Sequence, residues 1–361
     1  MKIKIDGLDP NMQQQSALGL EKLQYHHYLC GDFTVSGAAG YHKEAGNLIR
    51  VPLEVLNRVR ERSGNDGVYN LAHCQAGVRL RFCTDSPFLA VKNITEEKDV
   101  YGYLNYDLYQ RVGNTFRHIT GRLCAPGNKG TFEALAFDRH TPVSPMTEYE
   151  LYFPILTPIS ALYIGLREGA RILPPTDYVI RQPIVFYGSS ITHGACALRP
   201  GNAYNAMISR RLCADYINLG FSGNAKGEPE MAEYIAGLSM SAFVLDYDHN
   251  APNPAHLEQT HEPFFKTVRE RQPDLPIVMV SRPNTQNNSL EDALRREIVW
   301  NTYLNARRAG DENVYLVDGS TFLLNDYADA DLSDGCHPND AGFVQMAERI
   351  GGVLRRAIRM E

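Results

Sequence analysis

Long apolar runs are missing from this chain of 361 residues. No stretch approaches the roughly 18 apolar residues that a membrane-spanning helix needs, and the start, Met1 to Gly7, has no apolar core of the kind a secretory signal peptide carries. A cytoplasmic protein is expected, the alternative being a leader already removed. Cys-x-x-Cys spacing is absent too. The seven cysteines, Cys30, Cys74, Cys83, Cys124, Cys196, Cys213 and Cys336, are scattered and odd in number, which argues against a disulfide framework and fits reduced structural thiols. Charge of one sign is also lacking. Net charge is −6, spread without blocks of either sign, so neither nucleic acid nor anionic lipid has an electrostatic footprint to bind.

What is present is an ordinary globular composition, 43% apolar and 22% charged, in a chain long enough for about two domains. From about Gly77 to Glu168 short alternating or β-branched runs dominate: Val78–Phe82, Phe88–Lys92, Phe132–Phe137, Glu148–Phe153 and Ala161–Leu166. Turn-rich pieces such as Thr84–Pro87 and Ala125–Gly130 separate them, the pattern of an antiparallel sandwich. Pro52–Arg62 reads as a short helix. After Pro174-Pro175 strands alternate with helices. Ile184–Tyr187, Tyr216–Leu219, Ala242–Tyr247, Ile277–Val280 and Val314–Val317 are the strands. Asn202–Cys213 reads as the helix after the first of them, and Ser289–Arg308 is the clearest helical stretch, with capping-box spacing at Ser289 and Asp292 and a stop at Gly310. A stripe from Phe343 through Met346, Ala347, Ile350 and Leu354 to Ile358 marks the last helix. Alternating units of this kind build a doubly wound parallel sheet. The expected domains are 1–176, all β, and 177–361, α/β.

The strand Ile184–Tyr187 runs into Gly188-Ser-Ser-Ile-Thr192, placing serines at the carboxyl end of a strand, where ligands collect in open α/β sheets. Three further segments follow strand ends: Asn218–Ala225, Asp246–Pro252, and Asp331–Asp340 just before the last helix. Acyl transfer needs a nucleophile, a base, a group to orient the base, and donors for the oxyanion. Ser190, His337 and Asp334 supply the first three, and Asp334 and His337 share one loop. The backbone N–H groups of Ser190 and Gly223 and the side-chain amide of Asn250 are the expected oxyanion donors, with glycine at 223 letting the backbone approach the reacting carbon.

Gly188–Thr192, Gly223, Asn250 and Asp334-Gly-Cys-His337-Pro together resemble the four ordered blocks of the SGNH (GDSL-type) hydrolase superfamily. The resemblance implies a flavodoxin-like five-stranded parallel sheet preceded by a jelly-roll-like β-sandwich, as in two-domain carbohydrate esterases and one group of acyltransferases. It makes Ser190, Gly223, Asn250 and His337 the four name-giving residues, with Asp334 completing the triad, and it selects Ser190 over the adjacent Ser189. One departure stands out: the family's Gly-Asp-Ser is here Gly188-Ser189-Ser190. The implied activity is a cofactor-independent serine esterase that removes a small acyl group, acetyl foremost, from a sugar or other small polar molecule. Transfer to an acceptor hydroxyl is the alternative in the same chemistry. Glycan binding through the β domain, with Tyr101, Tyr103, Tyr106 and Tyr109 as a stacking surface, is the alternative in another class. Oligomeric state is left open.

Other motifs carry less. His193, His249 and Tyr247 line the same pocket or serve structure alone. Cys336 as a thiol nucleophile lacks a separate base and oxyanion set. Asp246–Asn250 starts like a calcium loop but has Ala251 and Leu257 where glycine and glutamate belong. His26, His27 and Cys30 have no second ligand pair for zinc, and Gly220–Gly227 matches neither phosphate-binding glycine motif. No metal or cofactor is expected.

Overall fold

The structure is a computed structural model that describes residues 18–20, 22–30, 32–40, 48–95, 104–124, 130–142, 144–283, 290–323 and 328–358. It divides into two compact units.

The first unit gathers Met1–Val35, Arg79–Tyr152 and Thr157–Thr176. Its strands are β1 (Leu23–His27), β2 (Thr34–Ser36), β3 (Arg79–Thr84), β4 (Phe88–Ile94), β5 (Tyr106–Val112), β6 (Thr115–Leu123), β7 (Phe132–Asp138), β8 (Thr147–Tyr152), β9 (Ala161–Arg167) and β10 (Ile172–Leu173). They form two sheets, ordered β1-β9-β4-β7 and β10-β3-β8-β5-β6, with β2 beside β3. Aromatic side chains join the sheets: Phe137 of β7 stacks on Tyr149 of β8 at 5.4 Å, and the Tyr106 hydroxyl of β5 donates to Asn93 Oδ1 of β4 at 2.6 Å. Apolar rings facing inward from both sheets are what make a sandwich. Tyr106 and Tyr109 are therefore buried, which removes them from any exposed stacking surface. Tyr101 and Tyr103 lie outside the described residues.

The second unit holds Ser36–Val78, Phe153–Leu156 and Asp177–Glu361. Five parallel strands, β11 (Ile180–Gly188), β12 (Ala214–Gly220), β13 (Ala242–Asp246), β14 (Ile277–Val280) and β15 (Val314–Val317), run in the order β12-β11-β13-β14-β15. This is the flavodoxin-like order, and its switch point falls at β11. The helices are α1 (Leu53–Ser63), α2 (Asp66–Leu71), α3 (Ser190–His193), α4 (Tyr204–Leu212), α5 (Pro229–Ala236), α6 (Pro254–Arg271), α7 (Leu290–Arg308) and α8 (Asp340–Ala357). Val185, Tyr187, Phe243, Leu245, Ile277 and Met279 share one core with residues of α1, α5, α6 and α7. Phe186, of opposite parity on β11, meets Tyr204 of α4 at 5.7 Å, and Tyr204 stacks on Phe343 of α8 at 6.4 Å. Burial on both faces explains why these strands are continuous apolar runs. Asn339 caps α8, accepting from Ala341 and Gly342 N–H; Ile358, the expected end of its stripe, is the C-cap.

The partition differs from one cut between 176 and 177. Ser36–Val78 joins the α/β unit because α1 and α2 bring Val55, Leu56, Val59 and Val68 into the core formed by Ile217 and Leu219. Ser289, half of the expected capping box, is outside the described residues.

Candidate active site

β11 ends at Gly188, where a Cβ would stand 2.2 Å from the Asp246 carbonyl oxygen and 2.1 Å from Thr192 Oγ1. Only glycine lets α3 fold back so closely on β13. Ser189 is the N-cap of α3: its buried Oγ accepts from Ile191 N–H at 3.2 Å, and its own N–H donates to Asp246 O at 3.1 Å. A serine oxygen caps a helix about as well as an aspartate, so the Gly188-Ser189-Ser190 departure keeps the turn. The two adjacent hydroxyls are thereby separated in function, one tied to the backbone and the other not.

Ser190 Oγ lies 2.8 Å from His337 Nε2, and His337 Nδ1 lies 2.8 Å from Asp334 Oδ2. The other carboxylate oxygen accepts backbone N–H bonds from Cys336 at 3.0 Å and His337 at 2.7 Å. Burial alone would raise the Asp334 pKa, but the hydrogen bonds from the His337 backbone and ring outweigh it and hold the carboxyl below its usual value. It therefore stays ionised and fixes the ring with Nε2 as the acceptor toward Ser190. The loop is stapled at its base. Leu332 bridges Pro338, Ser333 N–H donates to His337 O at 2.8 Å, and Asn339 N–H donates to Asp331 O at 2.9 Å. Asp340 ties it to the segment after α3 by accepting Leu198 N–H at 2.9 Å and Asn202 Nδ2–H at 2.6 Å.

Gly223 follows β12 and Asn250 follows β13, the two strands that flank β11. Gly223 has φ 71 and open space where a Cβ would point. The backbone conformation by itself calls for glycine there. Asn250 Oδ1 and its neighbour His249 Nε2 are buried polar atoms with no partner among the described residues, the kind of orphan that asks for an explanation. Burial, then the charges of Arg282, His337 and Arg295, push the His249 pKa well below the ordinary histidine value.

Several supporting residues carry no sequence motif. Arg50, fully buried, donates from Nε to Cys74 O at 2.8 Å, from Nη1 to Asn218 O at 2.7 Å and Gly220 O at 3.0 Å, and from Nη2 to Leu71 O at 2.7 Å. Its guanidinium lies 4.9 Å from the Phe221 ring centroid. Burial lowers its pKa only to about 10, so the charge persists at neutral pH. His193 Nε2–H donates to Ile155 O at 3.1 Å, leaving Nδ1 as the acceptor for Ser222 N–H at 3.4 Å. Burial first, then Arg50, keeps that ring neutral. Asn65 Nδ2 donates to Asn224 O at 2.7 Å and to Glu228 Oε1, while the Tyr187 hydroxyl donates to Glu228 Oε2 at 2.6 Å. These contacts hold the loop that carries Gly223 from both of its ends. His193 thus supports that loop from within the fold. Tyr247 is buried, with its hydroxyl 2.7 Å from Thr260 Oγ1.

A doubly wound sheet that brings serine, histidine and aspartate into one hydrogen-bonded series beyond its strand ends defines a serine hydrolase of the SGNH class. Residues 181–355 match the model of the GDSL-like lipase/acylhydrolase family, and residues 23–172 match that of the N-terminus of SGNH-hydrolase-type esterases. The chain belongs to this family and is an SGNH-type serine esterase. Among solved structures, a protein described as a GDSL-like lipase from Bacteroides ovatus is 26% identical, with 94% of this chain and 99% of that one covered and a TM-score of 0.80. A salicylyl-acyltransferase from a tetracycline biosynthetic pathway is 21% identical, with coverage of 94% and 100% and a TM-score of 0.70. An acetyl xylan esterase from the rumen bacterium Butyrivibrio proteoclasticus is 13% identical, with coverage of 93% and 98% and a TM-score of 0.58. At the latter two identities the likeness is one of fold. No curated protein matches the chain. Among the described residues no helix is long and apolar enough to cross a membrane.

Proposed function

We propose that Ser190 is the nucleophile, His337 the general base and Asp334 its orienting carboxylate in a hydrolase that removes a small O-acyl group, acetyl foremost, from a carbohydrate or other small polar molecule. The observation that carries this reading is the unbroken series from Ser190 Oγ through His337 to Asp334, with 2.8 Å at each link. His337 Nε2 takes the serine proton as Oγ attacks the ester carbonyl, and the imidazolium so formed is stabilised by the Asp334 carboxylate. The same proton then goes to the departing alkoxide. Water, deprotonated by His337, attacks the acyl-enzyme and releases the acid. The N–H groups of Ser190 and Gly223 and the Asn250 amide are the assigned oxyanion donors. Acetyl and sugar are favoured by the shared fold of the acetyl xylan esterase. Transfer of the acyl group to an acceptor hydroxyl is the second reading, favoured by the fold shared with the salicylyl-acyltransferase.

Labelling with a fluorophosphonate followed by peptide mapping tests the assignment. The label is expected on Ser190, and Ser190→Ala is expected to abolish p-nitrophenyl acetate hydrolysis while the circular dichroism spectrum is unchanged. A label on Ser189, or turnover retained in Ser190→Ala, overturns the proposal. Product analysis with and without an added alcohol separates hydrolysis from transfer.

A further inference from the structure

Cys196 sits just beyond α3, half-buried, with φ 70. Positive φ is uncommon for a residue with a side chain, and such outliers gather at functional sites. Its Sγ, a carboxylate oxygen of Asp334 and a ring nitrogen of His337 all lie within 4.8 Å of one another. The two segments are held together by Asp340, which accepts from Leu198 and Asn202 on the cysteine's side.

We propose that this thiol, imidazole and carboxylate form an inhibitory site for a thiophilic divalent cation, Zn²⁺ in the first instance, which shuts the triad by occupying its base. All three donors are of the types zinc takes, at bond lengths of about 2.0–2.3 Å. A tetrahedral arrangement at those lengths separates neighbouring ligand atoms by about 3.3–3.7 Å, so the hydrogen-bonded His337–Asp334 pair, at 2.8 Å, opens by about 0.5 Å and the widest separation, no more than 4.8 Å, closes by about 1 Å. The thiol proton leaves to solvent as the Zn–S bond forms. Thiolate and carboxylate together then balance the two positive charges, and water is left to fill the fourth position. Nε2 is the acceptor facing Ser190, and Nδ1 is the donor facing Asp334. Nδ1, the nitrogen on the Asp334 side of the ring, is the ligand; it gives its proton to solvent while Nε2 takes one up from solvent, so that no acceptor is left for the Ser190 hydroxyl. Mg²⁺ and Ca²⁺, which select oxygen donors, are not expected to compete. The cation is here an inhibitor and not a cofactor, and the site rests on the placement of these atoms rather than on the identity of the ester.

The test separates binding from catalysis. Co²⁺ is titrated into the Ser190→Ala protein and the thiolate-to-cobalt charge-transfer absorbance is followed, with Zn²⁺ as competitor and Mg²⁺ as control. One band is expected, displaced by Zn²⁺, untouched by Mg²⁺, absent when Cys196→Ala is added, and at least tenfold weaker in affinity with Asp334→Asn. No band, or a band that survives Cys196→Ala, overturns the proposal. In the active enzyme, half-inhibition of p-nitrophenyl acetate hydrolysis by Zn²⁺ should need at least tenfold more metal in Cys196→Ala, each protein being referred to its own rate in EDTA. Equal sensitivity of the two proteins also overturns it. If the unmodified enzyme has no esterase activity, the acyl-transfer assignment falls while the cobalt titration still decides the metal site.

Discussion

Asn250 is the one side chain among the three proposed oxyanion donors. Truncation to alanine should lower kcat for p-nitrophenyl acetate by about 10²–10³, with KM changed far less, because an oxyanion donor acts mainly in the transition state. A loss below about tenfold would take Asn250 out of the hole. The two serines make a related point. Their adjacency left the nucleophile open on the residues alone, and what distinguishes them is a capping bond from Ile191 N–H to Ser189 Oγ and a His337 ring beside Ser190 Oγ. Neither contact has a signature in sequence. Asp334 and His337 were legible because three residues and a stapled loop suffice to pair them.

At the scale of elements, legibility followed burial. Ile277–Val280 and Val314–Val317 were read with the bounds they have, since strands covered on both faces are uninterrupted apolar runs flanked by polar turns. β5 and β6 were missed because their charged residues look solvent-facing yet are paired within the fold. Asp107 is buried with His118 Nε2 at 2.9 Å, and Arg111 lies 3.4 Å from Glu148. Arg50 left no trace at all, since its partners are four backbone carbonyls rather than a carboxylate. It joins the segment before α1 to the end of β12, so its loss should be felt in both. Arg50→Lys keeps the charge but cannot reproduce the planar fork. With several carbonyls left unpaired, urea unfolding should report a loss of about 2–4 kcal/mol. A loss under about 1 kcal/mol would mean that the fork can be dispensed with.

For the whole molecule, the buried titratable groups set opposing slopes in stability against pH. His193 and His249 are held neutral well below the ordinary histidine value, and burial brings His261 down to about 4. Below about pH 6.5 each binds a proton more readily in the unfolded chain than in the folded one, so stability is lost as the pH falls beneath that point. Asp246 works the other way. Buried under α3 and close to Asp248, its carboxyl is pushed from 3.8 up to about 8, although Tyr204 and Thr192 donate to its Oδ2 at 2.9 Å each. Below about pH 4 folded and unfolded chains both carry the proton. Between about 4 and 8 only the folded chain does, so unfolding releases it and stability declines as the pH rises through that window. Asp246→Asn cannot ionise and offers an amide oxygen to the same two hydroxyls. The decline it removes should leave the variant's unfolding free energy falling less between pH 5 and pH 8 than that of the unmodified protein. Asp248, raised to about 6, still contributes in both. Urea titrations at the two pH values measure the difference, and equal declines in the two proteins would show that Asp246 is already ionised in the folded state.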